Sequence, residues 1–240
     1  MTQSLSSDTS TRSELHRLAT HILARRRFDV SGRFGLRASP GGVATPAFGA
    51  GPEVIRVSGT TLVREVAGQA TSVPITGSTL RRLAAFSGVD LDTVFSAGDA
   101  TPALGDVDAP IHLEPGSAAA IADWYQLGWQ VLDTLVAALP AEAAPTTIQL
   151  WPEHFDAGTT VGLASGDRVN LGFSAGDGFE AEPYAYLGPW SADRPGDPAY
   201  WNAPFGAVLR RSEALRRSDA APADVCAQFM QQGLRLLSGR

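Results

Sequence analysis

The chain is 240 residues long, with 44% apolar and 18% charged residues, a formal net charge of −6 and a pI near 5.2. That length and balance suit a protein with a sizeable core and exclude disorder as the state of the whole chain, while the acidic surplus argues against a partner such as nucleic acid that is bound by neutralising phosphates. All 19 basic residues are arginine, which removes lysine Schiff-base and P-loop lysine chemistry together, and the single Cys226 permits neither an intrachain disulfide nor a cysteine zinc cluster.

Residues 1–11 are rich in Ser and Thr and carry no apolar leader, and no run approaches the roughly 18 apolar residues of a membrane span. They read as a disordered tail on a cytoplasmic protein with no membrane partner. Thr11-x-x-Glu14 then has the form of a capping box, followed by Leu15, Leu18, Ala19, Ile22 and Leu23 at helical spacing. From Phe28 to Ile75 short apolar runs separated by Gly, Pro and Ser read as strands, beginning with "RFDVSGRFGLRA", and the pair "EVIRVSG"/"TLVREV" reads as a hairpin. Residues 79–87 turn helical, with Gly88 as the stop.

A Gly/Pro/Asp-rich loop covers 96–116. Ile121, Trp124, Tyr125, Gly128, Val131, Leu132 and Leu135 then recur at i, i+3, i+4, i+7 spacing between Pro115 and Pro140, which predicts a long central helix. Beyond the linker-like "PAEAAPTT" come five strand-like runs and a last helix carrying Val225, Phe229, Gly233, Leu236 and Leu237 on one side. The expected fold class is α+β: two mainly antiparallel strand-rich halves, each followed by a helix, joined by the long central helix. This reads as one domain over 12–240, with pseudo-halves 28–95 and 146–237.

Residues 172–176 spell "GFSAG", the G-x-S-x-G of many serine hydrolases. The elbow needs a strand, a sharp turn and a helix, with its acid and then its histidine later in the chain. Here the continuation "AGDGFEAEPYAY" holds two glycines and a proline, and His16, His21, His112 and His154 all precede Ser174. A turn in an antiparallel sheet, with Ser174 and Asp177 bonded to backbone, fits better.

Ten of the 19 aromatic residues fall between Trp151 and Phe205, so the C-terminal half is where aromatic rings would either fill a core or line a ligand site. Within it, "LWPEHFDAG" places Glu153, His154 and Asp156 after a strand end, and a His–carboxylate pair can act as base and orienter or hold a metal. Glu182 in "EAEPYAY" is a further carboxylate, and His112 a further imidazole, whereas Glu114 beside Pro115 suits a helix cap. The residues expected to line a ligand site are Trp151, His154, Asp156, Glu182, Tyr184 and Trp190, with His154, Asp156 and Glu182 the candidates for catalysis. No metal-ligand set and no cofactor fingerprint stands out.

The segments "LWPEHFD", "NLGFSAGD", "EPYAYLGPW" and "WNAPFGAVL" resemble those of an uncharacterised actinobacterial protein family, a domain of unknown function that carries similar segments in the same order. "GRFGLRASPGGVATPAFG" and "ITGSTLRRLAAFSGV" extend the resemblance from about residue 28 onward. It implies no activity and no catalytic residues. Function is therefore expected from the residues alone: small-molecule binding in an aromatic-lined pocket of the C-terminal half. The alternatives are a hydrolase-type enzyme using His154 with a carboxylate, with or without a metal, and a protein–protein interaction module.

Overall fold

The computed structural model describes residues 2–218 and 220–239, with side chains from Thr9 onward. They form an α+β fold whose chain divides into two compact units, Met1–Asp123 with Leu150–Phe155, and Trp124–Gln149 with Asp156–Arg240. The expected pseudo-half 28–95 lies in the first unit, and 146–237 lies in the second except for residues 150–155.

In the first unit, helix α1 (Thr2–Leu18) continues through a π-helical segment, Ala19–Ala24, into α2 (Arg25–Ser31). Leu15, Leu18, Ala19, Ile22 and Leu23 are all buried, as their spacing requires. Two details differ from the sequence reading. The helix starts upstream of Thr11, so residues 2–11 belong to α1 rather than to a tail; the Thr11 hydroxyl is buried and accepts the backbone N–H of Glu114 at 2.9 Å, a long-range role that no local pattern reveals. Phe28–Ser31, read as strand, extends the helix until Gly32 ends it in the left-handed region at φ 68°.

The sheet that follows is a meander of β1 (Arg37–Ser39), β2 (Gly42–Ala44), β3 (Glu53–Ser58), β4 (Thr61–Val66) and β5 (Gln69–Pro74), antiparallel throughout and ordered as in the chain. Alternation along β3 turns Glu53, Ile55 and Val57 inward. Glu53 is the inward carboxylate, and it accepts bonds from Arg26 at 3.0 and 3.2 Å and from Arg64 at 2.9 Å. Helix α3 (Leu80–Ser87) opens on Thr79, whose hydroxyl accepts the N–H of Arg82, and closes on Gly88.

The central helix α4 (Pro115–Ala137) is capped by Glu114, whose carboxylate accepts the backbone N–H groups of Gly116 and Ser117 and the Ser117 hydroxyl. The short strand β6 (Gln149–Trp151) lies mostly in the first unit. In the second unit, β7 (Asp156–Gly162), β8 (Arg168–Ser174), β9 (Tyr184–Pro189) and β10 (Ala207–Arg210) form the second sheet, an antiparallel meander, followed by α5 (Arg211–Arg216) and α6 (Pro222–Leu237). One face of this sheet carries Val161, Val169, Leu171, Phe173, Ala185 and Leu187 into a core shared with Trp124, Val131, Leu132 and Leu135 of α4 and Val225, Cys226 and Met230 of α6. The Phe173 ring lies so close to Gly128 that a Cβ there would stand 2.4 Å from it. Trp124 meets the same ring edge-on at 5.2 Å and donates its indole N–H to the Ser174 carbonyl at 2.9 Å.

Among the described residues no helix is long and apolar enough to cross a membrane.

Candidate functional site

Because strand side chains alternate, the register of the second sheet fixes what its other face displays. Four rows run across it. Asp156, Ser174, Tyr184 and Arg210 align, then Gly158, Gly172, Tyr186 and Val208, then Thr160, Asn170 and Gly188. Gly162 and Arg168 form the last row, with Trp190 beyond the end of β9 bonded through its N–H to the Arg168 carbonyl. The outer face is thus aromatic and polar, with glycines where rings must lie flat.

Gly172 shows why. A Cβ on it would stand 2.4 Å from the Tyr186 ring, and one on Gly158 would stand 3.1 Å from the Tyr186 hydroxyl. Tyr186 lies across both strands to donate its hydroxyl to Asp156. Tyr184 donates to Asp177 at 2.6 Å. Burial, with the facing carboxylates adding to it, pushes both phenols upward, so both remain protonated donors at neutral pH. Phe179 and Phe205 complete the cluster: they meet edge-on at 5.2 Å, Phe179 stands 6.3 Å from Tyr184 and Phe205 stands 6.4 Å from Tyr186. The tyrosines form a pinned floor, and the two phenylalanines, 47% and 38% exposed, form its accessible rim.

Ser174 terminates β8 and is followed by no helix. Its hydroxyl accepts the N–H of Gly176 at 3.1 Å, and Asp177 accepts the N–H groups of Phe179 and Glu180 at 2.8 and 3.0 Å. "GFSAG" is a strand end running into a hydrogen-bonded turn. With the serine 2% exposed, the stretch lacks the exposed strand–turn–helix geometry of a nucleophile elbow.

Of the six expected lining residues, the structure links Asp156 and Tyr184 through Tyr186, whose ring is 6.2 Å from that of Tyr184. Trp190 shares their face, 65% exposed, with its indole N–H on Asn170 at 2.9 Å. Glu182 has a structural role: it accepts the backbone N–H and the hydroxyl of Ser212 at the start of α5. His154 is a surface side chain, 58% exposed, whose ion-pair partner among the described residues is the adjacent Glu153 at 3.1 Å. Trp151 stands 6.4 Å from Phe34 in the first unit. His112 is exposed on the loop before α4. Among the described residues no group of three or more His, Cys, Asp and Glu side chains could hold a metal.

Two recesses of the second unit, about 230 and 450 Å³, lie elsewhere. Leu139, Val161, Leu234 and Arg235 line the first, Asp167, Arg194 and Leu236 the second, and none of the six expected residues lines either. The aromatic residues of this half make a surface rather than the walls of these recesses.

No family model, curated protein or solved structure matches this chain.

The sequence reading passed over His16 and His21. Both are on the first helix, and His21 is within its π-helical segment, where the bulge turns extra side chains toward the interior. His16 donates Nε2–H to the Pro152 carbonyl at 2.8 Å and stacks on Phe155 at 5.2 Å; Thr20 donates to the same carbonyl at 2.6 Å. His21 donates to the Pro102 carbonyl at 2.8 Å. Burial lowers both imidazole pKa values, and the backbone bonds oppose it only in part; His21 and His154 near His16, and Arg25 and Arg17 near His21, lower them further.

A histidine whose folded pKa lies below its unfolded value, about 6.5, contributes stability that is full above that value and is lost as pH falls through the folded one. Urea midpoints are therefore expected to fall between pH 7.5 and pH 5, and to fall less in the double variant His16→Gln/His21→Gln. An equal fall in both proteins would assign the acid sensitivity to other groups.

Proposed function

We propose that this protein is a binding protein of the cytoplasm, and that its ligand surface is the outer face of the second sheet, from Phe179 and Phe205 to Trp190. The observation that carries this reading is the combination of a fixed floor with an exposed rim. Asp156 and Asp177 tie Tyr186 and Tyr184 in place, while Phe179, Phe205 and Trp190 leave large aromatic areas in water on the same side of the sheet. A core would have covered those rings, and exposed aromatic clusters on a rigid base are what binding surfaces present. The expected ligand is a small molecule held by stacking. The openness of the face favours a second reading, in which a polypeptide segment covers it.

Asp156, Tyr184 and Trp190 keep their proposed places at this site, while Trp151, His154 and Glu182 are left out of it. Hydrolase-type chemistry would need a base beside a reacting centre, and His154 with Glu153 on an exposed segment offers only a weak start. The kinship with the actinobacterial family is likewise a proposal, resting on the shared segments.

Native mass spectrometry of the protein purified gently from its own host tests the reading. A bound mass, small or polypeptide, is expected on the wild type and is expected to be lost in Phe205→Ala/Trp190→Ala. A mass retained by the variant, or bare chain from both, would refute it.

A further inference from the structure

Asn170 sits in the middle of the outer face, with Gly172 and Arg168 along its own strand, Thr160 beside it on β7 and Gly188 beside it on β9. Its Oδ1 accepts two bonds, from the Thr160 hydroxyl at 2.8 Å and from the Trp190 indole N–H at 2.9 Å. An indole nitrogen only donates, so the amide orientation is settled: the oxygen faces Trp190, and Nδ2 faces away. Thr160 is itself anchored, its backbone N–H bonded to the Thr146 hydroxyl at 2.9 Å and its carbonyl bonded to the Thr146 N–H at 2.9 Å.

Nδ2 has two N–H donors and no protein partner among the described residues. Gly188, cross-strand from Asn170, has no side chain of its own, and the side chain nearest to where its Cβ would stand is the Phe205 ring, at 3.8 Å. Next to the Asn170 amide stands the indole of Trp190, held by its bond to Asn170 and by its backbone N–H on the Arg168 carbonyl at 2.9 Å. The Arg168 guanidinium lies 6.0 Å from the Trp190 ring and spends its hydrogen bonds on the carbonyls of Ala144 and Thr160. One exposed aromatic platform, one oriented pair of amide donors and one cation therefore meet on one strip of the face, with the Phe205 ring beside Gly188 at its edge.

Resting on the reading of this face as the ligand surface, we propose that the Trp190–Asn170 strip is a carbohydrate site. A pyranose ring has an apolar C–H side that packs on an indole and a rim of oxygens that accept from amide and guanidinium N–H groups. The openness of the strip selects among ligands. A compact heteroaromatic molecule needs most of its surface enclosed to bind well, and the Trp190 indole, 65% exposed, leaves one side of any ring stacked on it in water. A saccharide chain instead adds shallow contacts unit by unit and continues along the face toward Phe205, whose carbonyl and ring both flank Gly188. The ligand class is an oligosaccharide, with one ring seated on Trp190 and its oxygens on Asn170 Nδ2.

The test titrates the full chain with cellohexaose, chitohexaose, maltohexaose and a hexuronate hexamer, and separately with adenosine as a planar non-sugar probe. Indole fluorescence and calorimetry follow binding. At least one hexasaccharide is expected to bind, to lose affinity at least tenfold in Trp190→Ala, and to lose a comparable amount in Asn170→Asp. The aspartate variant keeps an oxygen for Thr160 and Trp190 while removing both donors, and its circular dichroism and urea midpoint show whether the fold is intact. Sugar binding unchanged in Asn170→Asp, or no hexasaccharide binding at all, overturns the carbohydrate site. Adenosine binding that is lost in Trp190→Ala, with no sugar binding, overturns it while leaving the outer face as the ligand surface; a host-derived mass insensitive to Phe205→Ala/Trp190→Ala removes that surface as well.

Discussion

Phe173→Ala is expected to cost about 3–5 kcal/mol, the range for removing a large aromatic side chain from a packed interior. Phe173 is fully buried. Gly128 has no side chain that could move into the vacated space, and Trp124 is held by its bond to the Ser174 carbonyl, so the cavity would persist. Equilibrium urea unfolding followed by tryptophan fluorescence measures the loss. The same contact predicts the behaviour of Gly128→Ala: the gain in helix propensity, up to about 1 kcal/mol, should be outweighed by overpacking against the ring, about 1–3 kcal/mol. A stabilised Gly128→Ala protein would mean that the ring and the helix are not in contact as described.

Glu53→Ala is the second large effect. Its side chain is 7% exposed and is the shared acceptor of Arg26 and Arg64, which are 21% and 27% exposed. Removing one partner of a buried ion pair costs about 3–5 kcal/mol; because both guanidinium groups reach solvent, the lower end of that range is expected. Burial pushes the Glu53 carboxyl upward, but the bonds and charges of Arg26 and Arg64 outweigh it and hold the group below its usual value. The stability it contributes is therefore present above about pH 4.3, the unfolded value, and is lost as pH falls through the lowered folded value. Thermal melts at pH 7 and pH 3 should separate wild type from Glu53→Ala widely at the first and narrowly at the second.

Much of the fold is legible in the sequence because it is written in local periodicity. The 3.6-residue spacing from Ile121 to Leu135 gives α4, and the alternation in "EVIRVSG" and "TLVREV" gives the β3–β4 hairpin, whose pairing runs from Glu53↔Val66 to Ser58↔Thr61. Where the reading failed, distant contacts decide. Nothing near Thr11 signals that its hydroxyl serves Glu114, a hundred residues on. Nothing near His21 signals that a π-helical turn buries it against Pro102.

The aromatic cluster of the outer face was legible by composition, and its membership was not. Aromatic crowding after Trp151 pointed to the half of the chain that carries the outer-face cluster, and "EPYAYLGPW" supplied Tyr184, Tyr186 and Trp190, two and four residues apart, an even spacing that places them on one side of a strand. The pairing of Asp156 with Tyr186 and of Asn170 with Trp190 depends on register between strands, which periodicity within one strand does not contain. Glycine was the overlooked signal. Gly158, Gly172 and Gly188 weaken their strands, and that cost makes sense where rings lie on the backbone or a ligand approaches it.

The most direct test of the outer face as the ligand surface is nuclear magnetic resonance of the indole N–H signals, since the chain has five tryptophans and Trp190 alone represents that face. Protein labelled at the indole nitrogens would be mixed first with the dialysable fraction of a host lysate and then with the retained macromolecular fraction. A shift or broadening centred on Trp190, abolished by Phe205→Ala, is the predicted result. Signals that respond only at Trp124, Trp129, Trp151 or Trp201, or that do not respond to either fraction, would contradict the account.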